Sequence, residues 1–224
     1  MKKVTAIFFA VFMMLSLAAC QNHTTDTNTP SKTKSEQGVI KKENSKILIA
    51  YFTVPETDGV DAVSGASRVV TDDGVVGNTE FIATEIQKDL GGDLFKIETV
   101  QKYPGTHDDL LDFAYKEKAD DVRPKLSKQI ENLDGYDYIF VGYPNWNADL
   151  PMPLYTFFEE NDFSGKTIIP FVTHGGSGFS DTIRTIKQLE PDATIVEDGL
   201  SISRDDVPDA QPDVKTWADS LLAD

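Results

Sequence analysis

Two short stretches hold most of the side chains that could do chemistry. The first is GYPNWNADLPMP, residues 142–153, where Pro144, Asn145, Trp146 and Asn147 follow an apolar run. Tryptophan has a large flat apolar body, and a loop rich in proline, asparagine and aspartate cannot fold over it unaided. Flanked by amides that exchange hydrogen bonds, Trp146 suits a planar heteroaromatic ligand. It equally suits a lid across the core of its own domain, and the loop alone does not choose between the two.

The second stretch is THGGSGF, residues 173–179. Gly175, Gly176 and Gly178 leave main-chain amides bare, so a ligand could touch backbone there. The stretch lacks the Gly-Lys-Ser/Thr ending of a P-loop and the spacing of a dinucleotide fingerprint. His174 is read as a ligand contact ahead of a general base, because no carboxylate is visibly placed to orient it. Ser177 or Ser180 is expected to cap the helix that follows.

A third stretch, GNTEF at residues 77–81, opens a helix with Asn78 or Thr79 as the expected cap. Bare amides and the helix dipole attract phosphate at such a start without a lysine, and GNTEF has none. Thr53 ends the first apolar run and is separated from GNTEF by residues 54–76. Inside that excursion, SRVVTDDGVVGN reads as a hairpin turning at Asp73-Gly74, able to fold over as a lid.

These stretches need a frame. Short apolar runs rich in β formers occur at 46–52, 93–99, 137–143, 167–173 and 193–202. Segments with helical spacing lie between and after them at 78–90, 106–121, 125–133, 150–161, 179–190 and 213–223. Strands apolar on both faces and alternating with helices predict an α/β domain, a parallel sheet covered on either side. Right-handed crossovers bring the loops after the strands to one edge, and the chemistry is expected after strands one, three and four.

The remaining segments bound the function. Residues 1–20, MKKVTAIFFAVFMMLSLAAC, have the lysine pair, apolar core and small-residue ending of a secretory signal. LAAC also resembles the lipobox of bacterial lipoproteins, which implies lipidation at Cys20 and an extracytoplasmic location on the cell membrane. Residues 21–45 are polar and read as a flexible tether, leaving 46–224 as one domain. Cys20 is the sole cysteine, so disulfides, thiol catalysis and thiolate metal sites are excluded. His23 and His107 are read as solvated, and no metal framework is visible. From Ile47 onward 14 Lys plus Arg face 34 Asp plus Glu, a net −20. Such a surface repels nucleic acid and anionic lipid, so the membrane is met through the lipid anchor only, and basic partners are favoured.

With these loops in view, the chain resembles the flavodoxins, and more closely a flavodoxin-like subgroup with a YPNWW…LPMP…F loop and a THGGSGF loop. The likeness runs from ILIAYF to TWADSLL. It implies a three-layer sandwich, a five-stranded parallel sheet of order 2-1-3-4-5, and one FMN held non-covalently at the strand ends. The family phosphate loop, Ser/Thr-x-x-Gly-Asn-Thr, looks split here, with Thr53 as its start and Gly77, Asn78 and Thr79 as its end. By position, Thr53, Asn78 and Thr79 would hold the phosphate. Pro144, Asn145, Trp146 and Asn147 would line one side of the isoalloxazine, with Trp146 stacking. Thr173, His174, Gly175, Gly176 and Gly178 would meet its other side or pyrimidine edge. Two departures stand out: the long 54–76 excursion, and Asn147 where relatives often carry a second aromatic.

The resemblance implies a tethered electron carrier or small flavin reductase whose redox partner, a protein or a small acceptor, docks near Trp146. Surplus negative charge is expected to oppose reduction of the ring and lower that couple. Two rivals remain: a lipid-anchored hydrolase using Ser177 or Ser180 with His174, though no Gly-x-Ser-x-Gly elbow is present, and a binding module that kept the fold without the cofactor.

Overall fold

The computed structural model describes residues 38–41, 45–57, 67–72 and 74–222. The expected signal sequence, Cys20 and residues 21–37 of the expected tether lie outside them.

Strand β1 (Ile47–Tyr51) is buried at every position. Successive side chains of a strand point to opposite faces, so such a strand must be covered twice. Ile47, Ile49 and Tyr51 enter one core; Leu48, Ala50 and the following Phe52 enter another. Helices α1 (Asn78–Leu90) and α5 (Gln211–Leu221) close the first core through Ile82, Ile86, Val214 and Leu221. Helices α3 (Met152–Glu159) and α4 (Thr182–Leu189) close the second through Leu154, Phe157, Phe158 and Ile186. Helix α2 (His107–Ala119) lies against α3. Each large apolar side chain fully removed from water in these cores contributes roughly 1.5–3 kcal/mol.

The main sheet contains β4 (Asp93–Lys96), β1, β5 (Tyr138–Pro144), β6 (Thr167–His174), and beyond β6 both β7 (Thr194–Ile195) and β8 (Leu200–Ser203). All these pairings are parallel. Counted in chain order, with β7 and β8 sharing the last position, the order is the expected 2-1-3-4-5. A separate antiparallel hairpin, β2 (Arg68–Thr71) with β3 (Gly74–Gly77), occupies the excursion where SRVVTDDGVVGN predicted it.

The expected fifth strand, 193–202, is interrupted, and the cause lies in its neighbour. Thr194 N–H donates to Lys166 O and Val196 N–H to Ile168 O, so every second residue of β6 faces this strand. The next in that series is Pro170, which has no N–H to give. The ladder stops there, the polar Glu197 and Asp198 turn outward, and pairing resumes at Phe171↔Leu200.

Three other expectations change. Residues 125–133 form no α-helix: Leu126 bridges Thr99, Val100 N–H donates to Lys125 O and Ser127 N–H to Glu98 O, and only a 3-10 turn at Leu133–Gly135 follows. Neither Asn78, Thr79, Ser177 nor Ser180 caps a helix; α1 starts after Gly77 and α4 after Asp181, both without a side-chain cap. The packed domain also begins before Lys46, because Ile40 is 2% exposed and its N–H donates to Leu221 O at 2.7 Å.

Candidate functional site

The ends of β5, β6 and β8, the chain leaving β1, and the start of α1 meet at one cleft.

Its first wall is the end of β5 and the loop after it, supplying Pro144, Asn145, Trp146 and Asn147. Asn147 and Ala148 both take positive φ, 56° and 59°, and Trp146 and Asp149 exchange backbone hydrogen bonds of 3.2 and 3.0 Å. This is the pattern of a tight turn with two left-handed centres, where asparagine is among the best-tolerated residues. Lys118 pins the turn to α2, donating to Asn147 O at 3.0 Å and pairing with Asp149 at 3.1 Å. Tyr155 of α3 donates to the same carboxylate. The indole of Trp146 meets Phe52 at 5.4 Å and 81° and Tyr103 at 5.5 Å and 60°. Trp146 therefore does both things its loop allowed: it packs on the core and it lines the cleft.

The second wall is the loop after β6. His174 Nδ1 accepts the Gly176 N–H at 2.9 Å. Burial lowers the pKa of this imidazole, and the opposing charge of Asp206 only partly offsets that. The ring is thus neutral near pH 7 with its hydrogen on Nε2, able to donate but without a free lone pair. It cannot serve as base for Ser177 or Ser180. Asn145 ties this loop to the first, its Nδ2 donating to Gly178 O at 2.7 Å and Ser180 Oγ at 3.0 Å. Its Oδ1 is left buried with no hydrogen-bond partner among the described residues. An unsatisfied buried acceptor costs about 1–3 kcal/mol, which a ligand N–H would recover.

The two ends of the split phosphate motif are neighbours in space. A Cβ on Gly77 would lie 1.9 Å from Thr53 Oγ1, so only glycine lets α1 begin against the end of β1. Asn78 lines the cleft, and the hydroxyls of Thr79 and Thr173 bond each other at 2.9 Å, both buried. Thr79 therefore fastens α1 to β6 rather than offering its hydroxyl to the cleft.

Of the residues singled out by sequence, Asn78, Pro144, Asn145, Trp146, Asn147, Thr173, His174 and Gly175 line the cleft together. Thr53, Thr79, Gly176 and Gly178 do not line it: Thr79 bonds Thr173, Gly176 N–H donates to His174, Gly178 O accepts from Asn145, and Thr53 packs against Gly77. The sequence reading missed a third wall from α2, Leu110, Leu111 and Ala114, and missed Ser67 and Arg204. It also took His107 for a solvated residue. Instead His107 is half-buried in the cleft with Nδ1 2.7 Å from Oε1 of Glu56, which is buried. A carboxylate two residues past Val54 and a histidine at a helix start carry no pairing signal in one sequence. Arg204 could have been found, as a cation directly after the last strand.

Comparison with known proteins agrees with this geometry. A family model described as flavodoxin matches residues 68–221. A solved structure assigned as a flavoprotein, from Bacteroides eggerthii, is 26% identical with a TM-score of 0.57, over 80% of this chain and 98% of that one. A second from Bacteroides uniformis is 23% identical with a TM-score of 0.53, over 79% and 99%. A flavoprotein in complex with FMN from Lactobacillus acidophilus is 14% identical with a TM-score of 0.53, over 75% and 99%. The last two likenesses bear on fold alone. No curated protein matches the chain. The match spans more than half of the sequence and agrees with the strand order, and the chain belongs to the flavodoxin family.

Proposed function

We propose that the domain binds one FMN in this cleft and works as a redox protein, an electron carrier or a small flavin reductase. The observation that carries the reading is Asn145 Oδ1, a buried acceptor without a donor among the described residues, in a cleft walled by an indole, His174 and Gly175. A flat heterocycle bearing a ring N–H answers that need. The start of the 13-residue helix α1 offers its dipole, and the amides that follow Asn78, to a phosphate; the Asn78 N–H itself donates to Ser67 O. Trp146 faces the ring system, His174 donates Nε2–H to a ring carbonyl, and Leu110, Leu111 and Ala114 exclude water from the other wall. Bound FMN supplies the redox chemistry, while the protein contributes position and electrostatics. The FMN complex on the same fold in Lactobacillus acidophilus lends support at the level of fold.

The test uses protein from Gly38 onward, since Ile40 belongs to the packed domain. Mixed with FMN and desalted, it should elute yellow with close to one flavin per chain. A colourless eluate would favour the cofactor-free binding module. The hydrolase reading has no support from the cleft, where His174 has no lone pair to offer a serine.

Lipidation at Cys20 would hold this domain outside the cytoplasm on a tether. LAAC supports the reading, and no helix among the described residues is long and apolar enough to cross a membrane. Cys20→Ser is expected to shift the full chain from the membrane pellet to the soluble fraction of an expressing bacterium. Unchanged pelleting would sink the anchor. The net −20 of the domain supports a basic redox partner, steered to the cleft from a distance.

A further inference from the structure

We propose that Arg204, acting with the Nε2–H of His174, is an anion-stabilising residue of the flavin site that raises the cleft's preference for two-electron-reduced FMN over oxidised FMN. The inference rests on the FMN reading above and names a residue outside the expected flavin contacts. Arg204 follows β8 and lines the cleft. Its N–H donates to His174 O at 2.7 Å, which fixes its backbone to the second wall. Its guanidinium lies close to Gly175: a Cβ there would fall 3.2 Å from Cζ and 3.3 Å from Nε.

Among the described residues nothing takes up the charge of Arg204. Arg123 pairs with Asp121 and Glu159, Arg184 pairs with Asp181, and Arg68 reaches the Glu56 carbonyl. Among the described residues Arg204 makes no ion pair or side-chain hydrogen bond, in a domain of net −20. The acidic side chain in the cleft, Glu56, is held by His107. A half-buried cation without an ion pair among the described residues, with Asp206 the carboxylate that acts on the adjacent His174, marks a place where negative charge can arrive.

FMN offers two such places. One is the phosphate, for which the amides at the start of α1 provide a seat. The other is the ring, which takes up two electrons and one proton and so gains one negative charge. His174 and the Gly175 backbone put neutral donors beside Arg204, a set suited to the carbonyl-bearing edge of the ring. A charge this close outweighs the more distant, solvent-screened carboxylates of the surface. The couple is then higher than the net −20 alone predicts.

The experiment compares the wild type, Arg204→Gln and Arg204→Lys, each first shown by its melting curve to be folded. Oxidised-FMN affinity is measured by flavin fluorescence at neutral pH. The two-electron midpoint potential is measured by dithionite titration against a reference dye. Arg204→Gln should change oxidised-FMN affinity by less than about threefold and cut the preference for reduced FMN about tenfold or more, roughly 30 mV lower per tenfold for two electrons. Arg204→Lys should keep most of the wild-type potential. An unchanged potential in Arg204→Gln overturns the proposal. So does an equal loss of oxidised and reduced FMN affinity that disappears when riboflavin replaces FMN, since that assigns Arg204 to the phosphate. A wild type that takes up no flavin overturns the FMN reading itself, and this inference with it.

Discussion

Trp146→Ala should weaken FMN binding by about 1–3 kcal/mol, roughly a 5- to 150-fold rise in Kd, if the indole gives the ring a stacking surface. Phe52 and Tyr103 hold the indole at fixed angles, so its plane is set before the ligand arrives and little ordering entropy opposes binding. The same contacts mean that truncation also loosens the core beside Phe52. Trp146→Phe separates the two effects, because it keeps an aromatic face while giving up part of the area. Affinity, followed by quenching of flavin fluorescence, should fall in the order wild type, Phe, Ala, with each variant's melting curve as control. Equal affinities for all three would remove Trp146 from the site.

The second large effect is expected at Gly77. An alanine methyl there would sit 1.9 Å from Thr53 Oγ1 and 2.9 Å from Thr53 Cβ, so β1 and α1 must part. Overpacking of this kind costs about 1–3 kcal/mol, or roughly 2–12 °C of melting temperature for a domain of this size. The loss of FMN should exceed what the melting shift suggests, at least about tenfold, because the start of α1 is moved away from the ring-binding loops. Adding Thr53→Ala removes the nearest atom but leaves Cβ at 2.9 Å. That double variant should regain part of the stability and little of the affinity. A Gly77→Ala protein that melts and binds as the wild type does would show that the split phosphate motif does not come together here.

How much of this was legible in the sequence depended on whether a residue's role was local. Strands such as ILIAY and YIFVG declare themselves because a run apolar at every position can only be covered on both faces. The loops after β5 and β6 were legible for the same reason: Trp146 among asparagines, and glycines around His174, conflict with simple surface loops. Residues 125–133 show the limit. Nine residues with helical spacing are too few to form a helix without tertiary support, and backbone pairing of Lys125 and Ser127 with Glu98 and Val100 takes them elsewhere. Pro170 stood in plain view, yet its effect on the fifth strand required knowing which neighbour its missing N–H faced.

The site was half legible by the same rule. Residues on the strand-end loops could be placed by topology alone. The α2 wall and the His107–Glu56 contact could not, because they depend on how α2 docks and on where the chain after β1 runs. Arg204 lay within the topological rule, and was missed by attending to strands one, three and four only.

A crystal structure of the domain grown with FMN tests the central claim most directly. The account predicts the ring lying along Trp146, an N–H of its pyrimidine edge on Asn145 Oδ1, and its phosphate at the first turn of α1, on amides other than that of Asn78, whose N–H donates to Ser67 O. Flavin bound anywhere else, or a cleft still without flavin at saturating FMN, would contradict it.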